Sequence, residues 1–309
     1  MIFFANIKKV SAAAALLFLS SVSNANEFYT LSLGGGQESN LPRGIDDFHE
    51  LESTFVRAAI TAGKRYQLGL NDSLTISGNL GFSRFNDLRG FDRVALGIAA
   101  NYRYKFGFGP FAPGANASFI YDVENTQGQA RDTEIAQFEL SIDKRFQSGF
   151  TLESGIDYQR NYTNDLDIDP AVLASGSDLV NRLSFELFDF ESLSVFAAID
   201  YDFLNGWRAG VAYHRINGFT VASTTKPWLE IFKISNAFYS DPAFPPEDFA
   251  KPWFGYLLET NSDQWEGALS IPLSMDTSID FSINWTDIRA SNSRDYENTI
   301  YAITLTFSL

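Results

Sequence analysis

The sequence predicts an all-β fold: a transmembrane, antiparallel, up-and-down β-barrel of about twelve strands behind a cleaved signal peptide. Three observations carry the prediction. Long stretches alternate apolar and polar residues with period two, aromatic residues collect at both ends of the apolar faces, and short turns interleave with more variable connections.

The chain opens MIFFANIKKVSAAAALLFLSSVSNA, with Lys8 and Lys9 ahead of an apolar run from Val10 to Leu19 and with Ser23 and Ala25 just before Asn26. A basic start, a short apolar run and a small-residue exit define a secretory signal peptide, cleaved after Ala25. Residues 1–25 are therefore expected to be the leader, and residues 26–309 a single barrel domain. No segment offers the roughly 18 consecutive apolar residues that a transmembrane helix requires.

The last strand shows the alternation most clearly. Tyr301, Ile303, Leu305, Phe307 and Leu309 fall on one face, with Ala302, Thr304, Thr306 and Ser308 on the other. Earlier strands repeat it. Val94, Leu96, Ile98, Ala100, Tyr102, Tyr104 and Phe106 oppose Arg93, Gly97, Asn101, Arg103 and Lys105. Ala136, Phe138, Leu140 and Ile142 oppose Gln137, Glu139, Ser141 and Asp143, while Phe150, Leu152, Ile156 and Tyr158 oppose Thr151, Glu153, Gly155, Asp157 and Gln159. Ile279, Phe281, Ile283 and Trp285 oppose Asp280, Ser282, Asn284 and Thr286.

A soluble sandwich alternates as well, and three details separate the two. The strands run about ten residues or more, as a tilted membrane crossing needs. Aromatics mark both ends of the apolar face: Tyr102, Tyr104, Tyr201, Phe203, Trp207 and Phe307 at one boundary, and Phe82, Phe119, Tyr121, Tyr158, Tyr213, Trp265, Trp285 and Tyr301 at the other. Such residues form interfacial girdles. The opposite face is too polar to pack as a sandwich interior and suits a wet or hydrogen-bonded lumen.

Short turns are expected at Leu70–Asp72, Phe106–Gly109, Gln147–Gly149, Leu204–Gly206 and Asp276–Ser278. Strand starts near Glu27, Ser53, Leu74, Phe91, Phe111, Asp132, Phe150, Leu193, Trp207, Asp263, Ile279 and Tyr296 give the strand count, an even number that returns both ends to the periplasm. The stretch from Leu179 to Leu193 either extends the eighth strand or adds a hairpin, which would make about fourteen.

Composition excludes several classes. The chain has no cysteine, so stability must come from burial and backbone pairing rather than disulfides, and thiolate metal sites are ruled out. Loss of Lys8 and Lys9 with the leader takes the formal charge from −15 to −17. A nucleic-acid partner is not expected, because such partners demand a basic surface.

The signal peptide and the alternating C-terminal strand from Tyr301 resemble those of Gram-negative outer-membrane β-barrel proteins as a class. Members usually end in Phe or Trp, whereas this chain departs with Phe307-Ser308-Leu309. The segment LGGGQESNLPRG, Leu33 to Gly44, is also similar to the first strand and loop of several outer-membrane export and assembly barrels. The resemblance implies the cell outer membrane as location. It also implies contact with outer-membrane lipid and lipopolysaccharide, and recognition by the barrel-assembly machinery during insertion.

With the polar faces inward, charges segregate. Arg57, Arg65, Arg93, Arg103 and Lys105 form a basic wall, and Asp122, Glu139, Asp143, Glu153, Asp157, Asp200 and Asp202 an acidic one. Opposed walls orient dipolar solutes in a water-filled pore. The alternative is that the charges pair across neighbouring strands and fill the lumen.

Nothing in the sequence calls for a cofactor or a metal. Of the two histidines, His214 falls on the inward face of the ninth strand with no serine or carboxylate motif beside it to support catalysis. His49 lies in GIDDFHELE, read as an acidic surface loop, solvated or collecting a divalent cation, though its spacing matches no calcium loop.

The longest connection spans about residues 220–262 and contains KPW twice, at Lys226–Trp228 and Lys251–Trp253. Pro227 at a first helical position suggests a short amphipathic turn, which Pro242, Pro245 and Pro246 end. The two triplets are two tie-downs of one loop, or a chance recurrence. The loop is too aromatic for a solvated coil, and Trp228, Phe232, Phe244 and Trp253 are the side chains expected to anchor it as a lid. Three functions remain open: a passive pore for small hydrophilic or charged solutes, a closed surface barrel whose loop acts as receptor, adhesin or lid, and an outer-membrane lipid hydrolase.

Overall fold

The computed structural model describes residues 26–44, 49–127, 131–163, 187–225, 235, 237–241, 243–244, 249, 251–290 and 295–308. Among the described residues, thirteen strands form one antiparallel sheet: β1 Asn26–Glu38, β2 Ser53–Gln67, β3 Asp72–Phe85, β4 Arg93–Lys105, β5 Gly114–Thr126, β6 Thr133–Arg145, β7 Phe150–Thr163, β8 Phe190–Asp202, β9 Arg208–Thr224, β10 Ala237–Ser240, β11 Phe254–Pro272, β12 Thr277–Ala290 and β13 Tyr296–Ser308. From β1 to β9 and from β11 to β13 each strand pairs with the next, β1 pairs with β13, and β11 pairs with β9 as well as β12. The result is a closed barrel of twelve strands, with the short β10 set apart as a hairpin partner of the upper end of β11. Closure removes the unpaired edges that lipid could not satisfy.

The pleat explains why this sequence closes with its apolar face outward. Residues paired directly across the ladder share a face, so Trp265 opposite Tyr213 and Trp285, or Tyr158 opposite Phe138 and Leu193, run the apolar rows around the outside. Ile60, Ile98, Ile142, Val195 and Ile303 are each more than half exposed. A soluble protein would bury them; a barrel offers them to lipid. The alternate residues point inward, where Ser73, Ser141 and Ser194 are buried.

At one end of the barrel the strands are joined by tight turns, as the sequence predicts. Gly149 and Gly206 stand there at φ 94° and 87°, a left-handed backbone that side chains with a Cβ resist. At the other end are the long connections. The β9–β11 ladder continues well beyond the neighbouring pairs, out to Thr224 opposite Phe254. That extension leaves residues 225–253 as the connection. The anticipated strand boundaries near Phe219 and Asp263 followed the loss of alternation, whereas backbone pairing continues through it. Residues 1–25, 179–186, Trp228 and Phe232 lie outside the described residues.

Candidate functional site: a two-chambered lumen

The lumen is built from the inward rows of the strands and closed above by side chains from the loop end. Phe55 of β2 and Phe85 of β3 turn inward at the tops of their strands, and a 3-10 turn at Arg89–Phe91 adds Phe91. Onto this shelf folds the β9–β11 connection. Phe244 stacks on Trp253 with ring centroids 4.2 Å apart and meets Phe91 edge-on at 5.6 Å. Both are nearly fully buried. Gly90 makes the approach possible, since a Cβ there would strike the backbone of Ala243.

A buried ion pair holds the same connection. Asp241 accepts from Arg131 Nε at 3.0 Å and Nη2 at 2.6 Å, from Ser223 Oγ at 2.5 Å and from the Ala243 N–H at 3.0 Å. The Arg131 guanidinium also sits over the rings of Phe91 and Phe188, at 4.5 and 4.9 Å. A bidentate carboxylate with further donors is the geometry in which a buried pair is fully satisfied. Next to Arg131, burial pushes the Asp132 carboxyl up, opposed by its hydrogen bonds from Thr126.

The β1–β2 connection closes the remaining side. Arg43 donates to Thr220 Oγ1 at 2.7 Å, the Ser223 N–H donates to Pro42 O at 2.9 Å, and Asn40 exchanges hydrogen bonds with Gly44. His49 is not on a solvated acidic surface: it is 1 % exposed, lies edge-on to Trp253 at 5.4 Å and accepts from the Thr225 N–H at 3.1 Å. The acidic neighbours that suggested a surface loop are overridden by contacts distant in sequence. His214 does face inward and stacks on Phe196 at 5.3 Å.

Beneath this cover lie two cavities. The upper one, about 520 Å³, is lined from every barrel strand except β2. The lower one, about 620 Å³, lies at the turn end along β2 and β4 to β9. The lower cavity brings Arg65, Arg103 and Lys105 together with Glu139, Asp143, Glu153, Asp200 and Asp202. Across it Arg103 pairs with Asp143 at 2.7 Å, Arg145 with Asp202 at 2.9 Å and Arg208 with Asp200 at 3.0 Å. Arg145 and Arg208 extend the set read from sequence. Their positions on the polar rows of β6 and β9 would have placed them there.

The other sequence-picked residues sit higher. Arg57 lies over the Phe55 ring at 5.3 Å, and Arg93 pairs with Glu124 at 3.2 Å. Asp122 accepts from Asn79 at 3.4 Å and Asp157 from Gln137 at 2.8 Å. Among the loop residues, Phe244 and Trp253 anchor the cover.

The apolar outer band, its aromatic girdles and the closed twelve-strand ladder define an outer-membrane β-barrel. Among solved structures, the chain is similar to the COG4313 outer membrane channel from Pseudomonas putida F1, at 10 % identity and a TM-score of 0.55, over 94 % of this chain and 97 % of that one. It is also similar to the NanC porin, at 10 % identity and a TM-score of 0.45, over 90 % of this chain and 100 % of that one. The KdgM porin gives 10 % identity and a TM-score of 0.42, over 90 % and 99 %. No protein-family model and no curated sequence matches the chain.

Proposed function

We propose that the chain forms a passive channel for small hydrophilic or charged solutes across the outer membrane, with the β9–β11 connection controlling entry from outside. The carrying observation is the pair of polar cavities enclosed by a wall whose outside is apolar. On this reading Arg57, Arg65, Arg93, Arg103 and Lys105 act on passing anions, and Asp122, Glu139, Asp143, Glu153, Asp157, Asp200 and Asp202 on cations. Arg145 and Arg208 temper the acidic side. The similar Pseudomonas putida barrel is described as an outer membrane channel, which agrees with the proposal.

A second reading, a closed surface barrel with the connection as receptor or lid, is favoured by the buried Asp241 latch and the Phe244–Trp253 stack. Planar-bilayer recordings separate the two. The comparison is between the full barrel and a variant with residues 225–253 replaced by a short Gly-Ser turn between Thr224 and Phe254, which already pair. A passive channel conducts in both, and more strongly without the connection. Conductance only in the shortened barrel supports the lid; a folded shortened barrel that stays silent sinks the channel.

A further inference from the structure

The two cavities offer a guest different chemistry. Every charge lining the upper one is already engaged: Arg93 with Glu124, Arg131 with Asp241, Arg43 with Thr220, and Glu38 as acceptor from Asn298 at 2.9 Å. What remains is amides, hydroxyls and aromatic faces. Gln159, Asn161, Gln264, Asn284 and Asn298 converge there from β7, β11, β12 and β13.

These amides are held in place by each other and by acids at the edge. Gln159 donates to Asn161 Oδ1 at 2.8 Å, and Gln264 and Asn284 both donate to Glu266 Oε1, at 2.5 and 3.1 Å. An amide carries two donor hydrogens and an acceptor oxygen, so each keeps capacity for a guest in an orientation already fixed. Between them stand the rings of Phe85, Phe91, Phe188, Phe190 and Tyr296.

We propose that the upper cavity is a binding subsite for a neutral, polyhydroxylated solute of mono- to disaccharide size; the inference rests on the lumen being a solute path. Its volume falls within the ~300–1,000 Å³ range of small-molecule pockets. Hydroxyl groups answer the amides' mixed donors and acceptors, and the C–H faces of a pyranose ring lie against the aromatic rings. Arg93 and Arg131 are neutralised by Glu124 and Asp241, and Arg43 and Glu38, which meet neutral partners, are one charge of each sign, so an anion gains no net countercharge here. An apolar guest would strand the amides without partners, at a cost for each. The order of the chambers also fits, because the neutral one lies nearest the extracellular mouth.

The test is calorimetric titration of the detergent-solubilised full chain with maltose and, separately, with glucuronate, alongside bilayer conductance. Saturable maltose binding that exceeds glucuronate binding is expected. The double variant Gln264→Leu with Asn284→Leu, checked for folding by heat-dependent gel mobility, should weaken maltose binding about tenfold or more through loss of guest hydrogen bonds. Should the variant not fold, Gln159→Leu alone carries the same expectation at about threefold. Equal binding of the two probes, maltose binding unmoved by the variants, or no maltose binding at all overturns the subsite. If conductance persists in those cases the channel stands. If sugar binds but no barrel conducts, the subsite survives as a closed receptor's pocket.

Discussion

The loop-end and turn-end halves of this lumen share one barrel wall and hold themselves together by different means. Above, the connection is held by one desolvated pair: Asp241 is fully buried and its partner Arg131 mostly so, beside stacked rings. Below, charges are many, and their ion pairs stay hydrated, with Arg145 and Arg208 half exposed or more. Burial multiplies the strength of an ionic contact and the penalty for leaving one unmatched. The upper half is thus a packed, cooperative cover, and the lower half a charged vestibule whose exposed pairs are individually expendable.

The largest expected effect breaks the cover. Asp241→Ala leaves Arg131 among aromatic rings without its carboxylate, and removal of one partner of a buried pair costs about 3–5 kcal/mol. The loss should appear locally, because the barrel ladder does not depend on the latch. Hydrogen exchange of the Asp241 and Phe244 amides, which donate to Trp253 O and Asp241 O, should accelerate by about a hundredfold or more, while strand amides are unchanged. Uniform acceleration across the barrel would show that the cover and the wall are one unit.

Phe244→Ala comes next. Deleting a buried aromatic ring costs about 3 kcal/mol at the low end of the usual range, which applies here because Phe244 packs on Phe91, a wall of the upper cavity. Conductance should rise as the upper chamber opens outward. An unchanged conductance would mean that the connection does not restrict the path.

How far these features were legible in the sequence follows the same division. The wall was legible because its cause is local: alternation sets the face of Ile98 or Ile303, and a tight turn with Gly149 sets the register of its hairpin. The lower chamber was largely legible too, since Arg103, Asp143 and Asp202 lie on polar rows whose direction alternation fixes. The cover was not. Arg131 and Asp241 are 110 residues apart and neither belongs to a periodic pattern. His49 shows the cost of reading such a segment by composition: its acidic neighbours indicate water, yet Trp253 and Thr225 bury it. Phe244 and Trp253 could be picked as anchors from their aromaticity, but not the shelf of Phe55, Phe85 and Phe91 that receives them.

The smallest expected effect on stability sharpens the comparison from below. Arg103→Gln removes the charged partner of Asp143, which is buried but keeps the Asn116 amide as donor at 3.0 Å, and the Arg103 side chain is a third exposed, so the cost should be about 1–2 kcal/mol. Function should respond more than stability. The lower chamber then gains a net negative charge, and the reversal potential in a KCl gradient should shift toward cation preference. That shift should shrink between about 0.1 M and 1 M salt, as the Debye length falls from about 10 Å to about 3 Å, less than the width of the chamber. The Asp241→Ala exchange phenotype should be nearly insensitive to the same change, because bulk ions do not reach a fully buried carboxylate. If salt moves both alike, the contrast between a desolvated cover and a hydrated vestibule fails; if it moves only the selectivity, the same barrel wall carries two electrostatic regimes stacked along its axis.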